Sequence, residues 1–222
     1  MLSVRTATEV NDAMLRVYNN MFLAVITSML VSYFTSTSPE LMKFLFTGWM
    51  KWVVMFAPLA AVFVITPFLS SNPPRGAAIG ALLAFSALMG LSFSAIFVVY
   101  TSVSIVGAFM GAAILFATMS FYGYFTRRNL DTIGQYLFVG LIAVVITSIV
   151  NVFIGSSVLA MVVSAVAIIV FLGLTAYDTQ NIRETISEND STSVEVLGAL
   201  SLYLNFINLF LSLLSLFGGK RE

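Results

Sequence analysis

The sequence predicts an all-α integral membrane protein with seven transmembrane helices. Of its 222 residues, 59% are hydrophobic and only 9% are charged, where a soluble domain carries about 25% charged residues. The charged residues also fall at intervals that enclose one or two membrane spans, since a helix needs about 20 mostly apolar residues to cross the hydrocarbon core. The runs between them are continuously apolar rather than alternating in strand-length units. This points to helices and away from a barrel, because lipid forces every backbone polar group to be satisfied within the spanning element.

Taken in order, the first twenty residues hold Arg5, Glu9, Asp12, Arg16, Asn19 and Asn20 and read as a polar N-terminal segment, with no short apolar core and cleavage site of a signal peptide. Arg16 to Glu40 encloses 23 uncharged residues, Lys51 to Arg75 another 23, and Glu195 to Lys220 encloses 24, each one span. Arg75 to Arg127 encloses 51 and Asp131 to Asp178 encloses 46, so each reads as a helical hairpin, with turns expected at Tyr100 to Ser104 and Gly155 to Ser157. The spans are expected at about 17–37, 50–70, 77–99, 104–126, 133–154, 158–182 and 196–217. They make one transmembrane domain over 21–219, followed by a tail of 220–222. With the N-terminus cytoplasmic, Arg5, Arg16, Arg75, Arg127, Arg128 and Arg183 lie inside, against Lys43, Lys51, Lys220 and Arg221 outside, and the basic excess favours that orientation.

Composition excludes whole classes of chemistry. There is no cysteine and no histidine, which removes thiolate metal sites, disulfides, Ser-His triads, histidine zinc and haem sites, and imidazole pH switches. Ten basic residues balance ten acidic ones, so no basic surface calls for nucleic acid. Nine of the acids lie in tails and connections, while Asp178 directly follows the apolar run from Val158 to Tyr177. A single membrane carboxylate does not support aspartyl proteolysis, which needs two, or a calcium cage of six to eight oxygens. No enzyme, cofactor or resident metal is expected.

Helix association in lipid relies on small residues and interhelical hydrogen bonds. Gly107 and Gly111 form a GxxxG, and Ser86, Gly90 and Ser94 a small-residue ladder. Pro58 and Pro67 should kink the second span or mark its end. In the last span Gly198, Ser201, Asn205, Asn208, Ser212 and Ser215 are spaced 3, 4, 3, 4 and 3, one polar stripe on an otherwise apolar helix. The stripe either lines a polar path, with Ser201, Asn208, Ser212 and Ser215 facing it, or hydrogen-bonds neighbouring helices. Asp178 is the ionisable residue nearest the membrane interior, with Arg183 or Arg75 as its expected counter-charge; the alternative is a carboxylate at the headgroup boundary.

The segments LTAYDTQNIRE, Leu174 to Glu184, and GALSLYLNFINLFLSLLSLFG, Gly198 to Gly218, resemble the signature end of the Bax inhibitor-1 family, the transmembrane Bax-inhibitor-motif proteins, and MGLSFSAIFVVY, Met89 to Tyr100, resembles its third span. The resemblance covers essentially all seven spans. It implies a bundle with the last helix central, placement in a bacterial inner membrane, and a calcium-permeable cation leak modulated by pH. In the family two aspartates on the last two helices sense protons. Asp178 matches the first, and the second falls at Asn205, where this chain has an amide. The resemblance also implies a rival from another class, a modulator of a membrane-anchored ATP-dependent protease, with Met1 to Asn20 as the contact. Proton-coupled transport is a third reading, less supported because no inverted repeat or paired broken helices stand out.

Overall fold

The computed structural model describes residues 6–188 and 191–221. Among them lie α1 (Ala7–Ser36), α2 (Pro39–Phe46), α3 (Met50–Ser70), α4 (Arg75–Phe93), α5 (Ile96–Val99), α6 (Ser102–Phe125), α7 (Asp131–Ile154), α8 (Ser157–Glu188) and α9 (Thr192–Phe217). Seven spans are long and apolar enough to cross a membrane, α4 and α5 together forming one of them. The most apolar stretch of α9 is 56% buried, the highest share of the seven.

The helix ends depart from the apolar runs. The first helix starts at Ala7 rather than near 17, because Thr6 and Glu9 form a capping box in which Thr6 N–H donates to Glu9 Oε2 at 2.7 Å and Glu9 N–H donates to Thr6 Oγ1 at 3.4 Å. From there Val10, Ala13, Met14 and Val17 are buried along one face, the spacing of an amphipathic helix. Thr6 to Asn20 of the polar N-terminal segment therefore forms the cap and opening turns of α1. Residues 1–5 of that segment lie outside the described residues. Pro58 and Pro67 both sit inside α3, which ends at Ser70. The expected turn at Tyr100 to Ser104 contracts to Tyr100 and Thr101, with Thr101 capping α6 through Ser104 N–H. At the other hairpin Gly155 closes α7 with φ 70°, a left-handed conformation that glycine adopts without steric cost.

The chain divides into two compact units. One holds α1 to α5, the end of α8 from Glu184, and α9 as far as Tyr203. Here the small-residue ladder does what its spacing suggests: a Cβ on Gly90 would stand 2.6 Å from Ser28 O and 2.8 Å from Val31 Cβ, so α4 meets the α1 backbone at a distance only glycine allows. Arg16 of α1 clasps Glu195 of α9, Nε donating at 3.1 and 2.9 Å to the two carboxylate oxygens and Nη2 at 2.7 Å to Oε1. The Glu195 side chain is 5% exposed and that of Arg16 is 36% exposed.

The second unit holds α6, α7, α8 to Arg183, and the rest of α9. Its close approaches use Gly123 of α6 against the Ala176 backbone, Gly134 of α7 against the Tyr177 ring, and Gly173 of α8 against Leu137. The GxxxG pair is not among them. Nothing lies within 4 Å of a Cβ on Gly107, and one on Gly111 would meet Leu213 at an ordinary 3.6 Å.

Candidate functional site

Asp178 lies ten residues before the end of α8, inside a continuous helix, and is half-buried. The same turn packs through hydroxyls that bond back to their own helix. Thr175 Oγ1 donates to Phe171 O at 2.7 Å and Thr179 Oγ1 to Thr175 O at 2.7 Å, and both residues are fully buried. Thr179 Oγ1 also lies 3.1 Å from Ser120 Oγ of α6. These contacts fix the rotation of α8 and so the direction in which Asp178 is presented.

Asn205 of α9 is 5% exposed. Its Nδ2 donates to Asp178 Oδ2 at 2.7 Å, a charge-assisted length. The next residue holds α9 in place: Phe206 meets the Phe109 and Phe116 rings edge-on at 5.3 and 5.8 Å between centroids, a favoured aromatic geometry. The sequence-predicted pair is thus brought together, with an apolar aromatic cluster beside it.

The rest of the stripe behaves unevenly. Asn208 Nδ2 donates to Leu204 O at 2.8 Å and Ser212 Oγ to Asn208 O at 2.7 Å, so both spend their donors on their own helix. Ser215 is exposed and accepts from Ser164 Oγ of α8 at 2.9 Å. Ser201 is half-buried on the preceding part of α9. Of the two expected counter-charges, Arg183 donates to Tyr124 O at 2.6 Å with its guanidinium 5.0 Å over the Tyr124 ring, and Arg75 is an exposed residue opening α4.

Sequence reasoning missed the role of Gln180. Its Oε1 accepts from Leu130 N–H and its Nε2 donates to Arg128 O, both at 2.9 Å, so one amide closes the α6–α7 connection onto α8. Glutamine presents a donor and an acceptor at one end, and a connection holding otherwise unpaired backbone groups was the available signal.

These helices, with an amide–carboxylate pair between two of them, define a multi-pass α-helical membrane protein. The sequence matches the family model described as "Inhibitor of apoptosis-promoting Bax1" over residues 10–222, and the chain belongs to this Bax inhibitor-1 family. It is 40% identical over 215 residues to inner membrane protein YbhL of Escherichia coli strain K12, covering 94% of this chain and 92% of that one. A protein of Caulobacter vibrioides is 36% identical over 223 residues, covering 94% and 89%, and RP147 of Rickettsia prowazekii is 35% identical over 214 residues, covering 94% and 90%. The chain is a multi-pass bacterial inner-membrane protein.

Proposed function

We propose that this protein is a calcium-permeable cation leak of the inner membrane, with its N-terminus cytoplasmic and with Asp178 as the gating carboxylate. The observation that carries the reading is the 2.7 Å hydrogen bond from Asn205 to Asp178, at the two positions where the family places its proton-sensing aspartates. A half-buried carboxylate inside a spanning helix attracts cations and needs a partner in the absence of one, and Asn205 supplies it. Because an amide does not titrate, the pair here carries one ionisable group instead of two. pH modulation then acts through Asp178 alone. Ser201, Asn208, Ser212 and Ser215 offer hydroxyl and amide oxygens along the same helix as contacts for a passing cation.

The test is calcium flux from vesicles reconstituted with purified protein and Asp178→Ala at matched amounts. Altered basal flux or altered block by acid supports the role; identical flux between about pH 5 and 8 overturns it. The same vesicles separate the rival reading. A modulator of a membrane-anchored protease has no leak of its own and acts only with that partner present.

A further inference from the structure

We infer that the buried face of α1 holds a file of water molecules inside the first unit, remote in sequence from the Asp178 pair and independent of the leak reading. Asn20, Ser28, Ser32 and Thr35 lie on the buried face of α1, with 7%, 2%, 2% and 5% of their surfaces exposed. At 1.5 Å per residue, the fifteen steps from Asn20 to Thr35 rise about 22 Å, most of the roughly 30 Å hydrocarbon core. Apolar side chains fill such positions at no polar cost, so a polar face of this length has to be satisfied by something.

The hydrogen bonds show where the protein leaves off. Ser28 and Ser36, one turn either side of Ser32, each donate to a carbonyl of their own helix, Val25 O at 2.9 Å and Tyr33 O at 2.7 Å. Ser32 Oγ does not, and is buried without a protein partner. Tyr203 Oη of α9 is also buried, in a residue with no exposed surface, facing a Ser28 hydroxyl whose proton already goes to Val25 O and lying edge-on to Phe85 of α4. The remaining unpartnered buried hydroxyl among the described residues is Ser193 Oγ, in the first turn of α9 two residues from Glu195, which holds Arg16 one turn before Asn20. All three therefore belong to α1 and α9 in one unit, with Ser193 at the end that holds the ion pair. Buried hydroxyls left open by protein are the usual seats of structural water, each water bonding about three polar groups.

The absence of native cysteine makes the test direct. Single variants Ser32→Cys, Ser28→Cys and Leu30→Cys are reconstituted in vesicles and exposed to a cationic methanethiosulfonate, which needs a thiolate and hence water. Leu30 is 46% exposed on the outer face of α1, within about 3 Å of Ser32 along the helix axis. Labelling at 32 and 28 about tenfold or more faster than at 30 is expected, since only a hydrated thiol ionises readily. If positions 32 and 28 both label no faster than 30, the file is dry and the inference is overturned. Ser28→Cys keeps the test open should Ser32→Cys fail to fold. A protein that labels at 32 without leaking calcium retains the file and loses only the leak.

Discussion

Asn205 and Asp178 meet amide to carboxylate, with Nδ2 of one 2.7 Å from Oδ2 of the other, although 27 residues separate them in the chain. The contact makes position 205 decisive for pH behaviour. In Asn205→Asp the donor is replaced by a second carboxylate at hydrogen-bonding distance, where two like charges share a proton and titrate as a pair. The pH midpoint of calcium flux should move toward neutrality by about one unit or more relative to the parent chain. Superimposable flux–pH curves in the same lipid would show that position 205 takes no part in sensing.

Gln180 should behave as a two-ended tie. Gln180→Leu strands the buried Leu130 N–H, a loss of about 1–3 kcal/mol, and removes the donor to Arg128 O, which belongs to an exposed residue and costs less. Gln180→Glu keeps the acceptor for Leu130 but offers no donor to Arg128 while ionised, so it should fall between the parent chain and Gln180→Leu. Amide exchange across residues 126–131 should rise in that order. Unchanged protection in Gln180→Leu would contradict the assignment.

Alanine at two glycines of α6 should separate close packing from a spacing motif. Gly123→Ala drives a Cβ into the Ala176 backbone, which has no flexible end to yield, and should cost about 1–3 kcal/mol by overpacking. Gly107→Ala meets nothing within 4 Å and should be near neutral. Melting in detergent, followed by size-exclusion profile, distinguishes them; equal losses would mean the glycines act through backbone freedom instead.

Removing either end of the Arg16–Glu195 pair should lower stability by about 1.5–3 kcal/mol, the range for hydrogen bonds to charged groups, toward the lower end because the arginine is partly exposed. The double variant Arg16→Met with Glu195→Leu should be more stable than the single variant Arg16→Met, in which Glu195 stays behind as an isolated buried charge, the costly state. Thermal melts of both in the same detergent make the comparison. A double variant no better than the single one would show that the two residues act separately.

Much of this architecture was readable because lipid imposes a length. Charged residues mark spans cleanly when each crossing needs about 20 apolar residues, and the turns near Tyr100 and Gly155 show in small and hydroxyl residues, whereas the short α2 was not read at all. Helix ends were less legible. Hydropathy stops where water begins, whereas α1 starts at Ala7 on a capping box and α8 runs on to Glu188. The Thr6–Glu9 capping box was present in the sequence but hidden by the polarity of its neighbours. Which helices touch is a different kind of information. Spacing put Asn205 on a polar face, and only family resemblance joined it to Asp178. Arg16 and Glu195 read as the boundaries of two spans, since nothing local tells one charged boundary from another. The glycines at 90, 123, 134 and 173 give the close contacts, while the motif at 107 and 111 does not, because which glycine faces a neighbour is set by tertiary packing and not by the spacing of the motif.

The Arg16–Glu195 clasp joins residues 179 positions apart, and this sets an order of events during synthesis. The first helix emerges and enters the bilayer long before the last exists, so for nearly the whole of translation Arg16 has no Glu195 to meet. It must be kept near the water-facing boundary until the chain is almost complete. The ion pair can close only when α9 arrives, so the final helix to be made completes the first. A chain cut short before residue 195 therefore keeps Arg16 without this partner.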